Sequence, residues 1–163
     1  LTLFDFDSKQ TTGKWFIVND DVMGGVSTSN LSISESGFAT FSGELSPKNY
    51  GGFASIRTRI EVTDENEASG VMIRLRGDGN IYHIRFRTDS SHDGYAYQAK
   101  VTTLEGKWKE FTIPFKDFEP TYRGRILSGK PALEYQNIVQ IGLLIADEQF
   151  GEFSVDIDWI KIY

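Results

Sequence analysis

Cysteine is absent from the 163-residue chain, which removes disulfides, thiolate zinc sites and iron–sulfur ligation from consideration. Cysteine-free chains occur in every compartment, so cytoplasmic and exported settings both stay open. Only two histidines are present, and the separation of His83 from His92 suits no metal-ligand pair. No apolar run approaches the roughly 18 residues of a membrane-spanning helix. Cationic excess is lacking as well: 17 Lys and Arg face 23 Asp and Glu, a formal net charge of −6. That sign suits phosphate backbones poorly, so nucleic acid is not an expected partner. Helical periodicity is nearly missing, and no internal repeat or low-complexity tract occurs.

What is present is strand pattern. Leu1 to Asp7 alternates apolar and polar residues, as do Ala54 to Val62, Gly70 to Arg76, Ile81 to Arg87 and Phe153 to Tyr163. Further strands are predicted over Tyr95 to Thr103 and Trp108 to Pro114. Ser29 to Ser34 and Gly37 to Gly43 form an expected hairpin, and Gly70–Arg76 is expected to pair with Ile81–Arg87 across Gly77-Asp78-Gly79-Asn80. Ile138 to Ile145 reads as a strand buried on both sides. From Phe115 to Asn137 the pattern loosens. About ten short strands in one domain, residues 1–163, point to an all-β sandwich or barrel.

The stretch from Trp15 to Ser27 stands out, because an aromatic and β-branched run stops at Asn19-Asp20-Asp21 and restarts after Gly24-Gly25. Asn, Asp and Gly each have a turn role, so this is first a shaped loop with Trp15 buried behind it. Asn49, Gly51 and Gly52 form a second such loop. Asn19, Asp20 and Asn49 are the candidate ligand-contacting residues of these two loops.

All eight arginines fall in four Arg-x-Arg pairs. Alternation places Arg57/Arg59, Arg74/Arg76 and Arg85/Arg87 on the side of their strands away from the core. The three strands follow one another in the chain, so six guanidinium groups are expected on the outer face of one sheet. Such a face is either balanced by acids of its own chain or selects a carboxylate- or phosphate-bearing partner. Tyr95 and Tyr97 are candidates for stacking a sugar beside it. Asp5, Asp7, Asp156 and Asp158 alternate along the first and last strands and, brought together, would suit calcium. His83 falls on the arginine side, whereas His92 reads as a loop residue, and no catalytic triad or carboxylate pair can be assembled.

Several of these segments resemble the complex I intermediate-associated protein 30 family. They are Trp15–Ser27, Asn49-Tyr50-Gly51-Gly52-Phe53-Ala54 and Arg76-Gly77-Asp78-Gly79 with Tyr82. Trp108…Ile113-Pro114-Phe115…Phe118, Tyr122-Arg123-Gly124-Arg125 and Ile141–Ile145 continue the match in order. The resemblance implies a jelly-roll β-sandwich like the galactose-binding domains, related in shape to carbohydrate-binding modules. It also implies an assembly factor without catalysis; a monomer without a cofactor is the expectation for this chain. Its partner would be a protein met through the arginine face and neighbouring loops, or alternatively a glycan, with acidic glycans the favoured class.

Overall fold

The computed structural model describes residues 2–6, 15–62, 67–89 and 94–163. Thirteen strands are present among these residues and form two antiparallel sheets packed face to face. The six-stranded sheet holds β3 (Thr28–Ile33), β4 (Ala39–Leu45), β13 (Gly151–Ile162), β6 (Gly70–Arg76) and β9 (Trp108–Pro114) in that order, with β1 (Thr2–Asp5) also paired to β13. The seven-stranded sheet runs β11 (Arg125–Ile126), β10 (Glu119–Tyr122), β8 (Ala96–Thr102), β7 (Ile81–Arg87), β12 (Gln140–Ile145), β5 (Ala54–Arg59) and β2 (Trp15–Ile17). This is the expected jelly-roll sandwich, and the surplus over ten strands consists of short pieces such as β2, β10 and β11.

Alternation explains the core. Ile56, Thr58, Val71, Ile73, Leu75, Ile84 and Phe86 are all at most 1% exposed, so the phase read from β5, β6 and β7 is the one adopted. Slipping any of these strands by one residue would exchange that apolar set for arginines, which specifies the register strongly. Buried rings such as Phe41 and Phe153, on adjacent strands at 5.0 Å, and Phe86 and Phe118, at 5.1 Å, pack against one another in the core. Gln140–Ile145 is buried along its whole length, as its near-continuous apolar run predicts. The β3–β4 hairpin also forms as expected.

One expected pairing does not form. β6 and β7 lie in different sheets, and Gly77–Asn80 crosses from one to the other. Asp78 pins this crossing, because its carboxylate accepts hydrogen bonds from the Asn80 backbone N–H, the Tyr82 hydroxyl and the Ser154 N–H. The loop is thus tied at once to β7 and to β13, one strand from each sheet. Burial first, and then the Asp78 charge and hydrogen bond, push the Tyr82 phenol well above its ordinary range, so it stays a donor. The loose stretch after Phe115 contains β10 and β11, joined through Arg123 and Gly124 at positive φ (48° and 78°), the torsions of a two-residue hairpin turn.

Candidate functional site

The crossing at Gly77–Asn80 divides the arginines. Each pair does point away from the core, but Arg74 and Arg76 emerge on the six-stranded sheet and the other four on the seven-stranded sheet. The expectation of six guanidinium groups on one face is therefore corrected: strand period decides inward or outward, and the crossing decides which outward side.

On the six-stranded sheet the arginines are consumed by their own chain. Arg76 Nε donates to Asp156 at 2.8 Å, and its guanidinium lies 4.7 Å from the Trp108 ring and 5.0 Å from the Phe38 ring. Arg74 Nε donates to Asp158 at 3.0 Å, with Glu110 at 3.5 Å and the Trp108 ring at 5.2 Å. Thr40 Oγ1 donates to the other oxygen of Asp156 at 2.7 Å. Asp156 and Asp158 are thus each paired with an arginine, which weighs against calcium as their partner. Asp5 lies on β1 beside Trp159, and Asp7 is outside the described residues.

On the seven-stranded sheet β12 runs between β5 and β7. Gly142 is in register with Arg57 on one side and Arg85 on the other, and Gln140 likewise with Arg59 and Arg87. Having no side chain, Gly142 leaves a shallow dent of about 10 Å³, room for about one water, walled by Arg57, Arg85, Arg87, Gln140 and Leu144. Arg85 Nη1 donates to the neutral Gln98 carbonyl at 2.7 Å. Burial, and secondarily the neighbouring Arg87, push the Arg85 guanidinium down to about 10, so it is still charged at neutral pH. Arg87 is buried and donates to the Gly94 carbonyl, while Arg59 is exposed. Gln140 is buried, and its Oε1 has no partner among the described residues.

At one end of this face His83 Nε2 sits 2.6 Å from Asp147, which also meets Lys100 Nζ at 3.3 Å. Burial by itself would raise the Asp147 carboxyl. The hydrogen bond and charge of His83, then those of Lys100, outweigh burial and hold it below its ordinary 3.8.

The other predicted residues go elsewhere. Asp20 is fully buried, and its carboxylate accepts from the Ser27 N–H at 2.9 Å, the Ser27 hydroxyl and the Gly52 N–H at 2.7 Å. It staples the Asn19–Ser27 loop to the Asn49–Gly52 loop. A Cβ at Gly25 would stand 2.4 Å from Asp20 Cγ, and one at Gly51 2.5 Å from Asp20 Oδ2, so the Gly pairs exist to let this carboxylate in. Asn19 Oδ1 accepts from Ser29 Oγ at 2.8 Å, and Asn49 Nδ2 donates to the Gly24 carbonyl at 3.1 Å. Asn19 and Asp20 are buried and build the loops from within, whereas Asn49 is exposed with its Nδ2 tied to the neighbouring loop. Trp15 is half-buried against Phe4 and Phe6 rather than enclosed. Tyr97 shares the inward phase of its register partner Phe86, and Tyr95 packs on it at 5.6 Å with Lys130 over its ring, so neither tyrosine stands beside the arginines. His92 lies outside the described residues.

The family model described as complex I intermediate-associated protein 30 matches residues 4–157. The chain belongs to this family. Among curated relatives, the probable complex I intermediate-associated protein 30, mitochondrial, of Caenorhabditis briggsae is 28% identical over 180 aligned positions, covering 98% of this chain and 53% of the relative. The mouse complex I intermediate-associated protein 30, mitochondrial, is 25% identical, covering 99% and 55%. The chain thus spans about half the length of these relatives. In fold, this member of the family is similar to the family 11 carbohydrate-binding module of a Clostridium thermocellum cellulosomal cellulase, with TM-score 0.70, 18% identity and coverage of 98% of this chain and 92% of the module. A structure of a Clostridium thermocellum family 11 module with a β-1,3-1,4-mixed-linked tetrasaccharide gives 0.70 at 19% identity, covering 99% and 94%. No helix among the described residues is long and apolar enough to cross a membrane.

Proposed function

We propose that this domain works without catalysis as a binding and assembly module, docking a protein partner on the outer face of the seven-stranded sheet and the loops beside it. Family membership supports an assembly role, since the relatives bear complex I intermediate-associated names. The observation that carries the choice of surface is the placement of Arg57/Arg59 and Arg85/Arg87 on the two flanks of β12. Arg59 is exposed there and Arg85 has no carboxylate partner among the described residues, so the face puts positive charge on a protein of net charge −6, which favours an acidic partner surface and steers its approach. Capture of a partner from the native host is the test. Charge reversal by Arg57→Glu with Arg59→Glu should reduce capture at least tenfold, and added salt should weaken it for the unaltered chain. Arg74→Ala, on the other sheet, should leave capture unchanged. Undiminished capture by the reversed variant would overturn this surface.

A glycan is the second reading, favoured by the likeness to carbohydrate-binding modules and by arginines suited to acidic sugars. The inward turn of Tyr97 weighs against it, because sugar rings stack on exposed aromatics. Retention of the chain on an acidic-glycan array, lost in the same charge-reversed variant, would favour the glycan.

A further inference from the structure

We propose that the β10–β11 hairpin is a contact for an anionic lipid surface. Its turn enters the headgroup layer, with Arg123 and Arg125 on lipid phosphates and Tyr122 and Ile126 at the boundary with the acyl chains. This goes beyond the docking of a protein on the seven-stranded sheet and uses none of the arginines of that face.

The hairpin overhangs the end of the sheet. Its last rung to β8 is Thr121–Ala96, so Tyr122 to Arg125 run on with only each other as strand partners. Arg123 and Gly124, both at positive φ, make the tight reversal that ends it. Every residue from Tyr122 to Ile126 is exposed, Ile126 at 68% and Tyr122 at 38%. A single exposed aliphatic side chain is ordinary. Here two apolar side chains stand on opposite faces of one hairpin, because Tyr122 is in register with Arg125 and Ile126 with Thr121. A flat protein surface covers one such face at a time. A lipid headgroup layer surrounds whatever enters it and covers both.

Charge points the same way. Residues 120–133 hold Arg123, Arg125 and Lys130 and no acid, in a chain of net charge −6. Among the described residues neither arginine is ion-paired, and the Arg123 guanidinium lies 5.3 Å from the Tyr122 ring. Lys130 Nζ stands 4.8 Å from the ring of Tyr95, the residue before β8, which brings its charge to the same end of the sheet. Glu119, on β10, is in register with Gln98 and so lies two rungs back from the last one. The rest of the chain is more acidic still and is held off an anionic surface, which leaves the hairpin to approach first. Guanidinium groups bind phosphate through paired N–H donors, and their aliphatic stems lie along apolar surface while the head reaches the phosphates. Tyrosine favours the membrane–water interface. Reversible attachment to a bilayer needs charge and apolar insertion together, and this hairpin supplies both.

The test is co-sedimentation of the full chain with sucrose-loaded vesicles, phosphatidylcholine with about one-third phosphatidylglycerol against phosphatidylcholine alone, at low salt. Binding to the anionic vesicles should be about tenfold stronger and should fall as salt is added. Arg123→Glu with Arg125→Glu should abolish the excess. If that variant loses its strand signal in circular dichroism, Arg125→Gln is read instead and should lower the excess about threefold. Ile126→Ser should also lower it about threefold while its salt dependence persists. Arg59→Glu, on the sheet face, should leave it unchanged. Equal binding to the two vesicles, or an excess that survives the arginine variants, would overturn the lipid contact. So would an excess lost in Arg59→Glu, which would place the contact on the sheet face, or one kept in full by Ile126→Ser, which would leave no insertion. Release from the vesicles by soluble polyglutamate at matched charge would make an acidic protein segment the better occupant, and would overturn it too.

Discussion

The two outer faces of the sandwich use the same residue in opposite ways. On the six-stranded sheet Arg74 and Arg76 are each matched to an aspartate of β13 and stacked on Trp108. On the seven-stranded sheet Arg85 lies half-buried with only a neutral amide for company among the described residues. The difference is one of neighbours rather than of strand pattern. β6 borders a strand with acids in the outward phase, whereas β7 borders β12, whose outward residues are Gln140, Gly142 and Leu144. Matched arginines are structural elements, and a half-desolvated arginine without an anion is a place where a partner's charge would stabilise both.

The sharpest way to break this contrast is to remove an acid from the matched face. Asp156 is 16% exposed and Arg76 33%, so their pair is only partly screened. Asp156→Ala should cost about 2–3 kcal/mol by urea unfolding, because it strips a charged partner from Arg76 and an acceptor from Thr40. A loss under about 0.5 kcal/mol would mean that the pair contributes almost nothing to stability, as many surface pairs do.

A paired comparison comes next in size. Arg76→Met should lower stability by about 2 kcal/mol, since it leaves Asp156 short of its cation and removes the stacking on Trp108 and Phe38. Arg85→Met should fall within about 0.5 kcal/mol of the unaltered chain, as relief of a desolvated charge offsets one hydrogen bond. Equal losses at both positions would erase the distinction between the faces.

The smallest effect belongs to Asp147, which is ion-paired on the seven-stranded side yet more than one-third exposed. Its folded-state carboxyl lies below 3.8, so the unfolded chain binds the proton more readily. Its stabilisation is present above that pH and fades as pH falls through the lower folded value. Asp147→Asn should therefore cost at most about 1 kcal/mol at pH 7, given solvent screening, with the difference shrinking below about pH 4. A pH-independent difference would point to lost packing instead of lost charge.

Strand class, core phase and family were legible in the residues because each is local: alternation in β5, β6 and β7 names the buried side, and the motifs keep their order. Asp20 could be read as a turn residue, but its function as a staple between two loops needed Gly25, Gly51 and Ser27 to meet it in space. The Tyr95 and Tyr97 assignment failed for the same reason, since an aromatic in a strand looks alike whether it faces ligand or core.

By itself, then, the sequence determined that six arginines leave the core of an all-β domain, through the period of two that any strand obeys. Only the tertiary structure decided which arginines keep company. Alternation specifies a side of a strand and says nothing about the next strand over. The Asp78-pinned crossing sends β6 to a sheet whose acids neutralise its arginines and β7 to one where, among the described residues, Arg85 meets a neutral amide and no carboxylate.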